Sequence, residues 1–413
     1  MHVSPIKPHA PAAEGSLLPI GVRVPPDLPD PGSEARALLR PLLERLAAAL
    51  SEAGGAIAFP RFLDIVLFTP GLGYYTGPLP KLGRAGDFVT APELTPLFGR
   101  CLARQCAEVL ETLGGGDILE LGPGSGALAA EVLLTLEGLG GLPQRYLLLE
   151  VSGELRARQA DTLARRAPHL QGRVDWVDRL PQDALQGVVL ANEVADAIPF
   201  HRVRREAAGL CELYVTLKAG QLTWQTGPPS DPRLAETLAE VEADIGAPLP
   251  TGYVTELAPQ REAWIRSVGE ALARGLVLVV DYGFARREYY HPQRADGTLM
   301  CHYRQRAHAD PLALPGLQDV SAHVDFTALA RAAEQTGLQV AGFASQADFL
   351  LGTGLLEDVA ATAEGWGRVA ASGAAKRLIL PGLMGESFKV LGLTRGLDFT
   401  PRGFGLRDRR GRL

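Results

Sequence analysis

Apolar positions along this chain follow two rhythms that take turns. Short solid runs predict strands at 117–121, 145–151, 173–177, 187–192 and 275–281, with two more at 339–344 and 388–393. Runs of this kind belong to strands covered on both faces, as in a parallel sheet. Between several of them the apolar residues move to helical spacing, at 126–137, 153–166 and 260–274. Leu94, Leu97, Phe98, Cys101, Leu102 and Cys106 mark one side of a helix over 94–113, stopped by Gly114 to Gly116. An earlier helix over 33–53 opens at Ser33 as N-cap and carries Pro41 as a kink point. The alternation predicts an α/β fold, a Rossmann-like, mostly parallel sheet with helices on both faces.

The rhythm breaks in four places. Residues 1–32 are rich in Pro, Ala and Gly and read as a flexible arm. Residues 59–93 are irregular and dense in Gly, Pro and aromatics, a length of loop that is commonly functional. Residues 202–226 alternate apolar and polar positions around Gly turns, a β-hairpin insertion. Residues 284–325 form a second irregular stretch. The expected organisation is therefore an arm (1–32) and a helical and loop segment (33–113) packing on a single core (114–400), followed by a tail (401–413). Insertions at about 202–257 and 284–325 extend that one core.

Composition narrows the function classes. Hydrophobic residues at 46% over 413 positions allow a large core. A net charge of −6 without a long basic run excludes an electrostatic hold on nucleic acid as the default. Cys101, Cys106, Cys211 and Cys301 never form a CxxC pair, which argues against a disulfide framework and a thiolate zinc site. No His, Cys or acid cluster has metal-ligand spacing. There is no apolar run long enough to span a membrane and no secretory signal pattern, so a cytoplasmic enzyme is expected.

The candidate chemistry begins at ELGPGSG, 120–126, between a predicted strand and a predicted helix. Gly122 suits a tight turn, Gly124 a close approach of ligand to backbone, and Gly126 the packing of the next helix. Pro123 sits within the same turn, and the helix start can hold a negative group. A dinucleotide loop would read G-x-G-x-x-G; this one reads G-x-G-x-G. Glu120 before it would repel a pyrophosphate and can pair with the ammonium of an amino-acid moiety, which favours S-adenosylmethionine over NAD. Glu150 ends the next strand, where an acid accepts hydrogen bonds from ribose hydroxyls. Asp178, after the third strand, is read either as a receiver of the adenine amino group or as a plain turn acid. The glycine loop alone could be only a strand–helix turn; the two acids at strand ends favour a cofactor site.

The fourth strand runs into Asn192, Glu193 and Asp196, at the carboxyl end where open α/β sheets bind ligands. Glu193 and Asp196 are one helical turn apart. Further on, His323 and Asp325 form a second candidate cluster, for substrate binding or, on capping preference, for starting the helix 326–337. Asp87, Thr90 and Glu93 are assigned to a lid over the cofactor, with turn chemistry as an equal account.

An ordered set of segments now resembles a known family. GYYTG (73–77), GDFVTAPELTPLFG (86–99), ELGPGSG (120–126), LLLEVS (147–152), NEVADAIPFHR (192–202), VVDYG (279–283), GTL (297–299), DVSAHVDFTAL (319–329), SQADFL (345–350) and MGESFKVL (384–391) are similar to the MidA-type methyltransferases. That family includes a mitochondrial complex I assembly factor that methylates arginine. The resemblance implies a seven-stranded sheet with its last strand antiparallel, S-adenosylmethionine as methyl donor, and a protein arginine as acceptor. It carries the glycine motif onto Gly122, Gly124 and Gly126, and the NE..DA.P motif onto Asn192, Glu193, Asp196, Ala197 and Pro199. The family usually has arginine and threonine where this chain has Ser125 and Ala127.

On this reading Glu193 and Asp196 hold the guanidinium and Asn192 orients the methionine part of the cofactor. The implied partners are a protein substrate, a respiratory-chain subunit among the candidates, and a second copy of the chain in a homodimer. The competing reading is an assembly protein that binds the cofactor without efficient catalysis. A weaker third, an NAD oxidoreductase, lacks the dinucleotide spacing.

Overall fold

The computed structural model describes residues 20–77, 90–182, 184–362 and 365–413. One of its two compact units contains 89–196, 262–286 and 323–413. Its sheet is built from β1 (Asp117–Leu121), β2 (Tyr146–Leu149), β3 (Val174–Val177), β4 (Leu185–Asn192), β5 (Leu272–Phe284), β6 (Val324–Asp325), β7 (Gln339–Ser345) and β8 (Phe388–Arg395). Seven strands run in the order β7–β8–β5–β4–β1–β2–β3, and β6 adds to the end of β5. The run from β5 to β3 is parallel, while β8 is antiparallel to both β5 and β7. The sheet is thus eight-stranded and mixed rather than seven-stranded. The extra strand has two residues, too few to show a period in the sequence.

Period-two alternation splits each apolar run between two cores. Ile118, Val188, Leu190, Leu276 and Leu278 face α1 (Pro96–Leu113), α2 (Ala127–Gly138) and α3 (Gly153–Arg166), which contribute Phe98, Leu102, Val132, Leu133 and Leu163. Leu119, Val189, Val277 and Val279 face the other way, onto Ile265, Val268 and the Phe326 and Leu329 side chains of α4 (Phe326–Glu334). Thr95 caps α1, its hydroxyl accepting from Leu97 N–H at 3.3 Å, and Gly114 ends it in the left-handed region. The strand order reverses between β1 and β4, so the carboxyl ends of these two strands frame the crevice where this architecture binds ligands.

The C-terminal residues, expected as a tail, are packed. Phe404 is 1% exposed, and a Cβ placed on Gly342 or Gly392 would come within 2.1 and 2.5 Å of its ring. The ring lies on two bare stretches of β7 and β8. Arg409 then pairs with Asp348 at 2.7 Å and Glu386 at 2.9 Å.

The second unit draws on the N-terminal segment, 197–261 and 287–322. Strands Ala56–Ala58, His201–Glu206, Gly209–Lys218, Gln221–Gly227 and Val254–Leu257 pair antiparallel in a five-stranded sheet. Its own core gathers Leu42, Leu46, Phe59, Phe62, Val66, Phe200 and Val215. The structure therefore differs from the single-core reading: the first insertion joins the N-terminal segment in the five-stranded sheet, and the second forms a three-stranded antiparallel sheet of its own from Met300–Tyr303, Arg306–His308 and Asp319–Ser321. Strand Gly209–Lys218 of the first insertion finds a partner, 56–58, that is remote in sequence, which no local pattern reveals. The helix there is Gly32–Glu52, with Pro31 rather than Ser33 at its N-cap. The arm is also corrected over its described part, where Ile20 and Leu28 are buried.

Candidate cofactor and active site

The loop after β1 turns on three glycines in the left-handed region, Gly122 (φ 60°), Gly124 (φ 52°) and Gly126 (φ 81°), a conformation L side chains rarely adopt. Gly126 N–H closes the turn onto the Pro123 carbonyl at 2.9 Å. A Cβ on Gly126 would stand 3.1 Å from Gln159 Cα, so its bareness admits α3, not only its own strand. A Cβ on Gly122 would stand 3.1 Å from Val194 Cγ2, which brings the loop against the turn after β4. Ser125, at a position where the family usually differs, donates its hydroxyl to Glu93. That bond ties the glycine loop to the short helix Ala91–Leu94, whose N-cap is Thr90. Asp87 lies outside the described residues.

The two expected strand-end acids are both buried. Glu120 is 3% exposed and accepts a 2.7 Å hydrogen bond from Tyr146 Oη. Burial pushes its carboxyl up to about 7, against the opposing pull of the tyrosine hydroxyl. Glu150 accepts from Ser152 N–H at 2.8 Å through Oε1 and from Gln159 Nε2 at 3.2 Å through Oε2. Its carboxyl is also raised by burial, with these bonds opposing. Asp178 is exposed in the bend after β3.

Gln159 was not singled out from the sequence. In the middle of a helix of Arg, Ala and Gln it looks like a solvated position, yet it is fully buried. Only its place two turns beyond the Ser152 cap, facing a glycine loop, hints otherwise.

The turn after β4 carries the acids. Glu193 has φ 54°, a costly conformation for a side chain of its size. It is held by its N–H to the Val280 carbonyl at 2.9 Å. Asn192 Nδ2 donates to Glu193 Oε1 at 3.2 Å. The buried Asn192 Oδ1 has no hydrogen-bond partner among the described residues. Asp281, fully buried near the end of β5, accepts from Ala195 N–H at 2.9 Å and Asp196 N–H at 3.1 Å on one oxygen. Sequence reasoning quoted VVDYG only as a segment and missed this brace. A carboxylate inside an apolar strand, one residue beyond the Val280 that pairs with Asn192, was the available signal.

His323 stands between Tyr282, ring centroids 6.2 Å apart, and Phe284 at 5.2 Å. Asp325 performs the capping role: its Oδ1 accepts from Thr327 and Ala328 N–H at 3.0 and 3.2 Å. Its Oδ2 pairs with the buried Arg286 at 3.0 Å. Both oxygens are thus engaged in structure.

An open α/β sheet with a left-handed glycine loop, an acid closing the second strand and an orphaned Asn192 oxygen at the crevice defines a nucleotide-cofactor enzyme. Residues 101–344 match the family model described as "Putative S-adenosyl-L-methionine-dependent methyltransferase", and the chain belongs to that family, the MidA-type methyltransferases.

A crystal structure from Burkholderia thailandensis, described as a "likely methyl transferase" bound to S-adenosylhomocysteine, is 43% identical. It aligns over 94% of this chain and 100% of that one with a TM-score of 0.89. The mitochondrial protein arginine methyltransferase NDUFAF7 of Mus musculus is 28% identical over 74% of this chain and 72% of its own length. The Drosophila melanogaster homologue is 27% identical over 90% and 89%. This chain is an S-adenosylmethionine-dependent methyltransferase. The glycine loop and the buried acids fit that cofactor's mixed demands for close backbone approach and polar acceptors.

The cytoplasmic expectation is overturned by the protein arginine methyltransferase relatives, whose names place them in mitochondria. The lack of a membrane-spanning run and of a secretory signal pattern was too weak a ground for it. Among the described residues no helix is long and apolar enough to cross a membrane.

Proposed function

We propose that the methyl acceptor is an arginine side chain of a protein, the activity named for the mitochondrial relatives, with a respiratory-chain subunit as the substrate class that the family resemblance implies. The observation that carries this reading is the turn after β4. Glu193 is held in the left-handed region, beside Asn192, on a loop braced by buried Asp281. A backbone fixed at such a cost commonly serves a site.

When bound, S-adenosylmethionine would supply the methyl group from its sulfonium, with the thioether S-adenosylhomocysteine as the leaving group. Gly122, Pro123, Gly124 and Gly126 with Thr90 would hold it at the loop, Glu120 and Glu150 at the strand ends, and Asp178 at the outer edge. Asn192 Oδ1 offers an acceptor toward its amino-acid part. Guanidinium remains cationic at any ordinary pH. Glu193 and Asp196 supply acceptor oxygens that can hold it and aim one nitrogen, and the proton lost on methylation leaves from that nitrogen. Positioning and charge placement carry most of such a displacement.

The test is transfer of labelled methyl from S-adenosylmethionine to arginine-containing protein fractions, with products resolved by amino-acid analysis. Glu193→Gln is expected to lower turnover about 10²–10³-fold while cofactor affinity, by calorimetry, stays within twofold. Label on a residue other than arginine overturns the acceptor. Unchanged turnover overturns the role of Glu193. Cofactor binding without transfer to any fraction supports the assembly-protein reading instead.

A further inference from the structure

Gln159 joins three separate pieces of the cofactor side of the sheet. Its Nε2 donates to the Gly124 carbonyl of the glycine loop at 3.0 Å and to Glu150 Oε2 at 3.2 Å. Its Oε1 accepts from the indole N–H of Trp176, on β3, at 2.8 Å. An indole nitrogen can only donate, so the amide oxygen must face Trp176 and the amide nitrogen must face the other two. The orientation is fixed by chemistry rather than by a choice between nearly equal atoms. Both donors of the amide are used on acceptors, and the whole side chain is buried.

Glu150 is thereby held from two sides, by the Ser152 N–H on one oxygen and by Gln159 on the other. Burial alone favours a protonated carboxyl; these donors favour the ionised acceptor form. Arg156, also on α3, spends its Nε on the Glu150 carbonyl at 2.7 Å rather than on the carboxylate, so it fixes the backbone there and leaves the carboxylate to the amide.

We propose that Gln159 is a positioning residue for cofactor specificity: it aims the Glu150 carboxylate and locks it to the glycine loop, so that recognition of the ribose hydroxyls depends on it. The inference rests on the reading of Glu150 as the ribose acceptor. Trp176 acts behind Gln159 by setting which way the amide points.

The experiment compares binding of S-adenosylhomocysteine and its 2′-deoxyribose analogue to the full chain and to Gln159→Leu, by titration calorimetry. In the parent chain the analogue is expected to bind about tenfold more weakly, the size of one charged hydrogen bond. In Gln159→Leu that ratio should collapse to about twofold, because the carboxylate is no longer aimed. A general loss of packing would weaken both ligands together and leave the ratio intact, as in any double-mutant comparison of uncoupled changes. An unchanged ratio in the variant overturns the role of Gln159 while leaving Glu150 as the ribose acceptor. A ratio near one in the parent chain overturns the Glu150 reading and this inference with it. Trp176→Phe removes only the indole donor and serves if Gln159→Leu does not fold; it should bring the ratio to an intermediate value, and a parent-like ratio there overturns the proposal.

Discussion

At the scale of single residues, the most consequential group is Glu120. In the folded chain its carboxyl ionises near 7 because it is buried, whereas it starts from an ordinary value of 4.5. Between these two values the folded chain binds more protons than the unfolded chain, so stability is full below about pH 4.5 and falls as pH rises through 7. The loss amounts to about 3 kcal/mol for a shift of this size. Glu120→Gln keeps a hydrogen-bond acceptor for Tyr146 but cannot ionise. Urea unfolding at pH 5 and pH 8 should show the variant gaining on the parent chain by up to that amount; a constant difference between the two pH values would contradict the burial argument. Residue-level legibility was uneven for a physical reason. The left-handed turn at Gly122, Gly124 and Gly126 and the strand-end placement of Glu150 were readable because a strand–loop–helix turn and a strand end restrict which residue types can stand there. Gln159 and Asp281 were not, because a polar residue inside a helix or strand shows its burial only once its neighbours are in place.

Among the elements, α4 shows how one acid can hold a helix and leave little for a ligand. Asp325 gives one oxygen to the first turn of α4 and the other to Arg286, which is itself 4% exposed. Asp325→Ala removes the cap and takes the carboxylate from a buried cation. A cost of about 3–5 kcal/mol is expected, since breaking a buried pair weighs more than an exposed cap. Chemical denaturation measures it, and a loss below about 1 kcal/mol would return Asp325 to the list of substrate contacts. Sequence patterning found the elements of this unit within a few residues, from β1 at Asp117–Leu121 to α3 at Gly153–Arg166. It overlooked β6, where strand pairing lasts only two residues before the cap begins.

For the molecule as a whole, the described residues form three sheets, of which the sequence revealed the mostly parallel one and the hairpin strands of the five-stranded one. The mostly parallel one announces itself through solid apolar runs, while the five-stranded one is completed by a segment more than a hundred residues away, Ala56–Ala58 on Gly209–Lys218. The C-terminal segment belongs to the parallel sheet's unit. Phe404→Ala would strip the cover from Gly342 and Gly392 and is expected to cost about 3–5 kcal/mol, read from thermal or urea unfolding. A variant as stable as the parent would show that this segment merely rests on the surface.

The position of β8 between β5 and β7 also has a temporal side. On the ribosome β7 is made before β8, yet among the described residues β8 is its only neighbour in the sheet. From Ser345 to Phe388 the chain must grow by 43 residues (388 − 345) before that neighbour starts to exist. At about 5–20 residues per second this leaves roughly two to nine seconds in which an apolar strand has been synthesised with no edge to join. Newborn copies of this enzyme therefore carry an unpaired apolar strand over that interval, and a chaperone has it to shield until Phe388–Arg395 is made.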